Sequence, residues 1–170
     1  MPATGTLDIV TVSSPKAGVL RRRARPVGKV TAEIQRLVED MLTTLQAANG
    51  LGLAAPQVGE SLRMLVAKVE ARTVVLVDPE LIRAEGKEIA TEACLSIPGV
   101  VADVPRSAVV TIRGKNRRGR KVTIVAHNLL GRVLQHELDH LDGILFLDRV
   151  SDPNTIRYIT SSDDDAPAAE

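Results

Sequence analysis

The chain has 170 residues and 44% of them are apolar, enough for one domain with a sizeable core and too apolar for a disordered chain. Aromatic residues make up 1%, with Phe146 and Tyr158 as the whole set, so the core is aliphatic and stacking platforms for single-stranded nucleic acid are missing. A formal net charge of +1 draws the chain to neither nucleic acid nor a membrane surface, and one cysteine, Cys94, excludes an intramolecular disulfide. No apolar run approaches membrane-spanning length, and Met1 to Val10 lacks a basic segment followed by an apolar one. A cytosolic protein with no secretory signal is expected.

Leu7 to Ser13 alternates weakly and is expected to form a short strand that ends at Pro15 and Gly18. The arginines from Arg21 to Arg25, before Pro26, read as extended chain or loop. Thr31 to Ala48 is the clearest helix, because Ile34, Leu37, Val38, Met41, Leu42 and Leu45 form one apolar stripe. Thr31 suits the N-cap, Glu33 suits the positive end of the dipole, and Asn49-Gly50 suits the stop. Gly50 to Gly59, read G-L-G-L-A-A-P-Q-V-G, is a small-residue connector in which Gly50 and Gly52 permit close backbone approach. Its one polar side chain is Gln57, and no Gly-Lys-Ser/Thr follows to make a phosphate loop.

Leu62 to Val69 and Thr73 to Val77 read as strands, with Asp78-Pro79 expected to break the second. Glu80 to Thr91 has no clear period, with a turn expected at Glu85-Gly86-Lys87. Glu92 to Gly99 places Cys94 before an expected Pro98-Gly99 turn. Ala108 to Arg113 and Lys121 to Ala126 are β-branched, alternate, and flank a polar turn, so they predict a hairpin. Asn128 is the expected N-cap of a last helix whose apolar side is Leu129, Leu130, Val133, Leu134, Leu138 and Leu141 and which ends at Gly143. Beyond Ser151 the pattern fades. Residues 151–170 are expected to form a largely disordered tail, acidic at its end.

The last helix carries H-E-x-x-H, from His136 to His140. Four residues apart on a helix, the two imidazoles share a face and can grip one metal ion. Glu137 lies beside the first of them, where it can act on water as a general base without binding the ion. A lone cysteine is more often a small buried apolar residue than a ligand. A two-histidine site needs a third ligand, however, and Cys94 offers a thiolate, with His127 as the remaining histidine. Three ligands leave one position open, as in a catalytic rather than a structural site.

Three stretches, G-L-G-L-A-A-P-Q-V-G, E-A-C-L-S and Q-H-E-L-D-H-L-D-G, resemble in this order and spacing the signature motifs of the peptide deformylases, over about Leu7 to Val150. The resemblance implies an α+β fold of mixed or antiparallel sheets packed around a central metal-binding helix, with residues 1–150 as a single catalytic domain. It implies a hydrolase that removes the N-formyl group from the formyl-methionine of newly synthesised polypeptides and releases formate. By matching position, Cys94, His136 and His140 become the metal ligands, Glu137 the general base and then acid, and Gln57 with the Leu95 N–H the oxyanion donors. The Gly52 backbone would lie along the substrate beside Ala93. Leu51, Leu129 and Val133, with His136, would wall a methionine pocket. The implied cofactor is one divalent ion, ferrous iron in the cell, with nickel, cobalt or zinc as replacements. The implied partners are N-formyl-methionyl nascent chains met in transient proximity to the ribosome, in a bacterial cytoplasm or an organelle, with no direct nucleic-acid or membrane binding. Asp139 and Glu92 are candidates to orient ligands or to bind an arginine such as Arg106.

One position departs from the family pattern: Ala93 stands where E-G-C-L-S has glycine. If that position needs a positive φ or close substrate approach, the methyl costs about 1 kcal/mol or narrows the site. The short acidic C-terminus also differs from members with a long basic terminal helix. Alternatives are a divergent deacylase with low activity or altered acyl specificity, a metallopeptidase, and a non-catalytic metal module. The peptidase needs a downstream ligand, and after His140 only acidic residues remain as candidates. The module needs four protein ligands and has no use for Glu137 or Gln57.

Overall fold

The α1 helix, Ala32–Ala47, forms where the apolar stripe predicts it, and the Thr31 hydroxyl accepts the Ile34 N–H as an N-cap. The computed structural model describes residues 5–159. Val38, Met41 and Leu45 of α1 are buried against Leu53, Met64, Val66 and Val77. These residues belong to a five-stranded antiparallel sheet ordered β1-β2-β3-β6-β7. Its strands are β1 (Gly52–Ala54), β2 (Met64–Val69), β3 (Arg72–Glu85), β6 (Val109–Lys115) and β7 (Lys121–His127). A second sheet, ordered β4-β5-β8, holds β4 (Glu88–Cys94), β5 (Ile97–Arg106) and β8 (Arg157–Tyr158).

The α2 helix, Asn128–Leu141, covers the other face of the five-stranded sheet. Strand alternation makes this division. On β2, Met64 and Val66 face α1, while Leu65 and Ala67 join Val133, Leu134 and Leu141 of α2. A third apolar cluster under the second sheet gathers Val10, Leu20, Cys94, Val104 and Phe146. The fold is thus the single-domain α+β arrangement of antiparallel sheets around the H-E-x-x-H helix. No helix of the described residues is long and apolar enough to cross a membrane.

Several local expectations change. Leu7 to Ser13 forms no strand and turns at Val12-Ser13, because its N–H groups go to separate elements: Leu7 to the Thr44 hydroxyl, Val10 to the Gln57 carbonyl and Val12 to the Ser96 carbonyl. The connector from Gly50 to Gly59 contains β1 and a 3-10 turn, Ala55–Val58. Asp78-Pro79 does not end β3. A register irregularity between Val77 and Glu80 absorbs the proline that cannot donate, and Asp78 adopts a φ of 50°. Opposite it, a Cβ on Gly114 would lie 3.1 Å from the Val77 carbonyl oxygen, so glycine gives the irregularity room. The turn after Cys94 falls at Leu95-Ser96, and Pro98-Gly99 lies inside β5. Asn128 is the first residue of α2 with a φ of 54°, and the N-cap is His127, whose side chain makes no cap bond.

Residues 151–159, expected within the tail, instead carry a 3-10 turn, Pro153–Thr155, and strand β8 on β5. The acidic stretch of 160–170 lies outside the described residues.

Gly143 closes α2 with a φ of 75°, and a Cβ there would sit 2.6 Å from the Arg21 carbonyl oxygen. Both conditions exclude a side chain. Gly143→Ala is expected to lower the unfolding free energy by about 2 kcal/mol or more, the αL penalty plus the backbone clash, as read by urea denaturation.

Candidate active site

β4 ends at Cys94, and α2 presents His136 and His140 one turn apart toward it. The three side chains are buried, and their ligand atoms lie within 4.8 Å of one another. Cys94 Sγ is 3.4 Å from His140 Nε2, and His136 stacks on Phe146 at 5.9 Å between centroids. Burial, then the charges of His136 and Arg106, hold the His140 imidazole well below the usual histidine range. It is therefore neutral at neutral pH, the form that binds metals.

Glu92 orients the first histidine. Its Oε1 lies 2.9 Å from His136 Nδ1, so an Nδ1–H donated there leaves Nε2 to face the cluster. Glu92 is fully buried, and burial alone would push its carboxyl up. Hydrogen bonds and charges from Arg106 and His136 reverse this and hold it at about 2. Arg106 donates Nε and Nη2 to the two carboxylate oxygens at 2.9 Å each, and Arg132 adds Nη1 at 2.6 Å. Burial by itself would lower the Arg106 pKa, but Glu92 and then Asp139 raise it above the ordinary arginine value. The Asp139 carboxylate accepts from Arg106 Nη1 at 2.6 Å. Glu92 and Asp139 thus both meet Arg106, the arginine named from the sequence.

Glu137 is fully buried beside the histidines. Strand β1 crosses α2 at this point through Gly52, where a Cβ would lie 2.7 Å from Val133 Cγ1 and 2.8 Å from Glu137 Oε2. The connector glycine is therefore what lets the strand edge lie against the carboxylate. Gln57 is also buried, and its orientation is fixed from both ends. Its Oε1 accepts the Ala54 N–H at 2.9 Å, and its Nε2 donates to Ser96 Oγ at 3.1 Å, 3.7 Å from Cys94 Sγ. The amide nitrogen is thereby turned toward the cluster. Leu95 follows Cys94 in the turn that leads to Ser96.

Leu51 is half-buried against the core beneath α2, Val133 is fully buried, and Leu129 is exposed at the start of the helix. Ala93 is buried in β4 and is not among the positive-φ positions, so its methyl brings no backbone strain. His127 is exposed at the end of β7 and is not part of the cluster. Sequence reasoning gave no role to Ser96, although it closes the E-A-C-L-S stretch, or to Arg132, because an arginine on a helix carries no periodic signal.

One thiolate and two imidazoles suit a transition ion of tetrahedral preference, and the Glu92–His136 bond is the outer support such sites use. Replacing Glu92 would leave Arg132 a buried cation with no carboxylate partner and Arg106 with Asp139 alone. Glu92→Ala is expected to lower the unfolding free energy by about 3–5 kcal/mol in chemical denaturation, and Glu92→Gln, which keeps the shape, by less.

Residues 6–155 match the family model described as polypeptide deformylase. A peptide deformylase of Thermomicrobium roseum is 41% identical over 170 residues, covering 95% of each chain. One from Symbiobacterium thermophilum is 42% identical over 96% of this chain and 77% of its own. Among solved structures, a peptide deformylase of Synechococcus elongatus in complex with actinonin superposes with a TM-score of 0.83 at 41% identity, covering 88% of this chain and 81% of that one. The Thermus thermophilus peptide deformylase gives 0.81 at 42% identity over 88% of both chains. With this agreement over nearly the whole described length, the chain belongs to the polypeptide deformylase family.

Proposed function

We propose that this chain hydrolyses the N-formyl group of N-terminal formyl-methionine on newly made polypeptides, with Glu137 moving the protons and Gln57 and Leu95 holding the developing oxyanion. The observation that carries this reading is the convergence of Cys94, His136 and His140 to within 4.8 Å. It occurs beside two fully buried side chains that a purely structural metal site would not use, Glu137 and Gln57.

Cys94, His136 and His140 would hold a divalent ion, which would supply Lewis acidity and lower the pKa of water at the site. We take ferrous iron as the ion in the cell, with zinc, nickel or cobalt as replacements that the same donors would accept. Glu137 takes the proton as the water oxygen bonds to the formyl carbon. The Gln57 amide N–H, pre-aimed by Ala54 and Ser96, and the Leu95 backbone N–H donate to the oxygen that becomes negative. Glu137 then delivers its proton to the methionine nitrogen as the carbon–nitrogen bond breaks, and formate and a free amine leave. Gly52 and Ala93 flank the extended substrate, where β1, an edge strand of its sheet, can accept it as an added strand. Leu51, Leu129 and Val133 form the apolar walls for the methionine side chain.

The catalytic unit lies within residues 1–150, which hold every group used here. The partner is the nascent chain, met close to the ribosome in a bacterial cytoplasm. Bacterial relatives of the same family support that setting.

Formate release from a short formyl-methionyl peptide tests the reading, under anaerobic conditions with ferrous or nickel-loaded protein. The parent is expected to turn over, and chelator-stripped protein to be inactive until metal is restored. Glu137→Gln is expected to lose about 10²–10⁴-fold or more in kcat, because it serves both proton transfers. No release by folded, metal-loaded parent would sink the assignment.

In Gln57→Leu the metal ligands stay and one oxyanion donor is lost. Its kcat is expected to fall about 10²–10³-fold with metal content unchanged. A fall in metal content equal to the fall in rate would give Gln57 a structural role instead.

A further inference from the structure

Arg149 stands in the 3-10 turn Phe146–Arg149, after α2, with its side chain 48% exposed. Its guanidinium grips Asp139 with both arms: Nη2 donates to Oδ1 at 2.9 Å and Nε to Oδ2 at 3.1 Å. Asp139 Oδ2 also accepts from Arg106 Nη1 at 2.6 Å, and Arg106 holds both oxygens of Glu92. Glu92 ends the series on His136 Nδ1. Charges alternate along it from the surface to the buried imidazole. Its outer members, Arg106, Asp139 and Arg149, line a cleft of about 940 Å³ together with Gln135, Leu138 and Asp142. Gln135 and Leu138 lie on the side of α2 away from His136 and His140, and Asp142 is its C-cap. Nothing in the proposed reaction uses Arg149.

We propose that Arg149 is a positioning residue for the metal centre, acting on His136 through Asp139, Arg106 and Glu92. The inference rests on reading Cys94, His136 and His140 as the metal ligands. Asp139 has two oxygens, and the two-armed contact from Arg149 fixes the carboxylate plane while leaving Oδ2 in reach of Arg106. Without Arg149 the carboxylate can rotate and draw Arg106 off Glu92. Arg106 spans two carboxylates with three of its donors, so any shift toward Asp139 loosens the pair on Glu92. A loosened Glu92 no longer sets the plane of His136. Metal sites are sensitive to such outer partners, whose loss costs about 10–100-fold in affinity or activity. Lysine cannot replace the two-armed contact, so Arg149→Lys should behave as a loss variant.

Zinc is the probe, and its dissociation constant is read by competition with a chromogenic chelator. The proteins are the parent, Arg149→Ala, Arg149→Lys, Asp139→Asn, the Arg149→Ala/Asp139→Asn double variant and Arg21→Ala. Arg21 ties Asp148 of the same 3-10 turn but touches no member of the series, so it reports loosening of the segment alone. Arg149→Ala is expected to weaken zinc about tenfold with Arg149→Lys close to it, and Arg21→Ala to stay within about twofold of the parent. In the Asp139→Asn background, Arg149→Ala is expected to add nothing further. In formate release, Arg149→Ala is expected to lower kcat and leave KM in place.

Unchanged or tighter zinc binding in Arg149→Ala overturns the proposal. So does an equal loss in Arg21→Ala, and so do additive losses in the double variant. A parent that shows the expected zinc pattern but releases no formate would overturn the deformylase reading and leave the positioning role standing. A parent that binds no zinc would overturn both.

Discussion

The carboxylate of Glu92 is the contact on which the rest depends. It sits two residues before Cys94 on the second sheet and accepts from Arg106 on the same sheet and from Arg132 and His136 on α2. The cysteine and the histidines arrive on separate elements, one a strand and the other a helix that packs mainly on the five-stranded sheet. Apolar packing alone lets such layers slide by fractions of an ångström. Charged, two-armed hydrogen bonds do not, because their geometry is directional. The network therefore fixes the spacing of the Cys94 sulfur and the histidine nitrogens.

Burying this much charge is costly, and an apolar core of equal volume is often as stable or more so. What the network provides is placement. Arg132 illustrates this: besides Glu92 it donates to the Val104 and Glu88 carbonyls, so one guanidinium ties α2 to both long strands of the second sheet. Gln135 does the same on another side, exchanging two hydrogen bonds with the backbone of Ser107. The N-terminal arm completes the frame through Val10 and Val12, which bond the carbonyls of Gln57 and Ser96. Gln57 and Ser96, which accepts from the Gln57 amide, are thus held by a segment that forms no strand of its own.

The helices and the β6–β7 hairpin were legible because local period reports which side of an element is buried. Gln57 stood out as the one polar side chain in a small-residue stretch, and Gly52 as a point of close approach. Asp78-Pro79 misled because a proline reads as a break, whereas a bulge opposite Gly114 accommodates it within the strand. β1 and β8 were missed because strands of three and two residues have too few positions for alternation to show. Ser96 stood inside a quoted motif without a role of its own and Arg149 had no local signal, since their roles lie in partners distant along the chain.

By itself the sequence determined the chemistry on offer: two imidazoles at helical spacing, one thiolate, a carboxylate beside them, and motifs in an order that resembles one family. It also determined the α1 stripe and the aliphatic core. Tertiary structure alone decided that Cys94 meets His140 across 46 residues, that Gly52 presses β1 against Glu137, and that Glu92 is shared by two arginines and a histidine. The reason is physical. Propensity and period are short-range properties of a chain, whereas a metal site, an oriented amide and a charge network depend on distances between elements, which only sheet register and layer packing set.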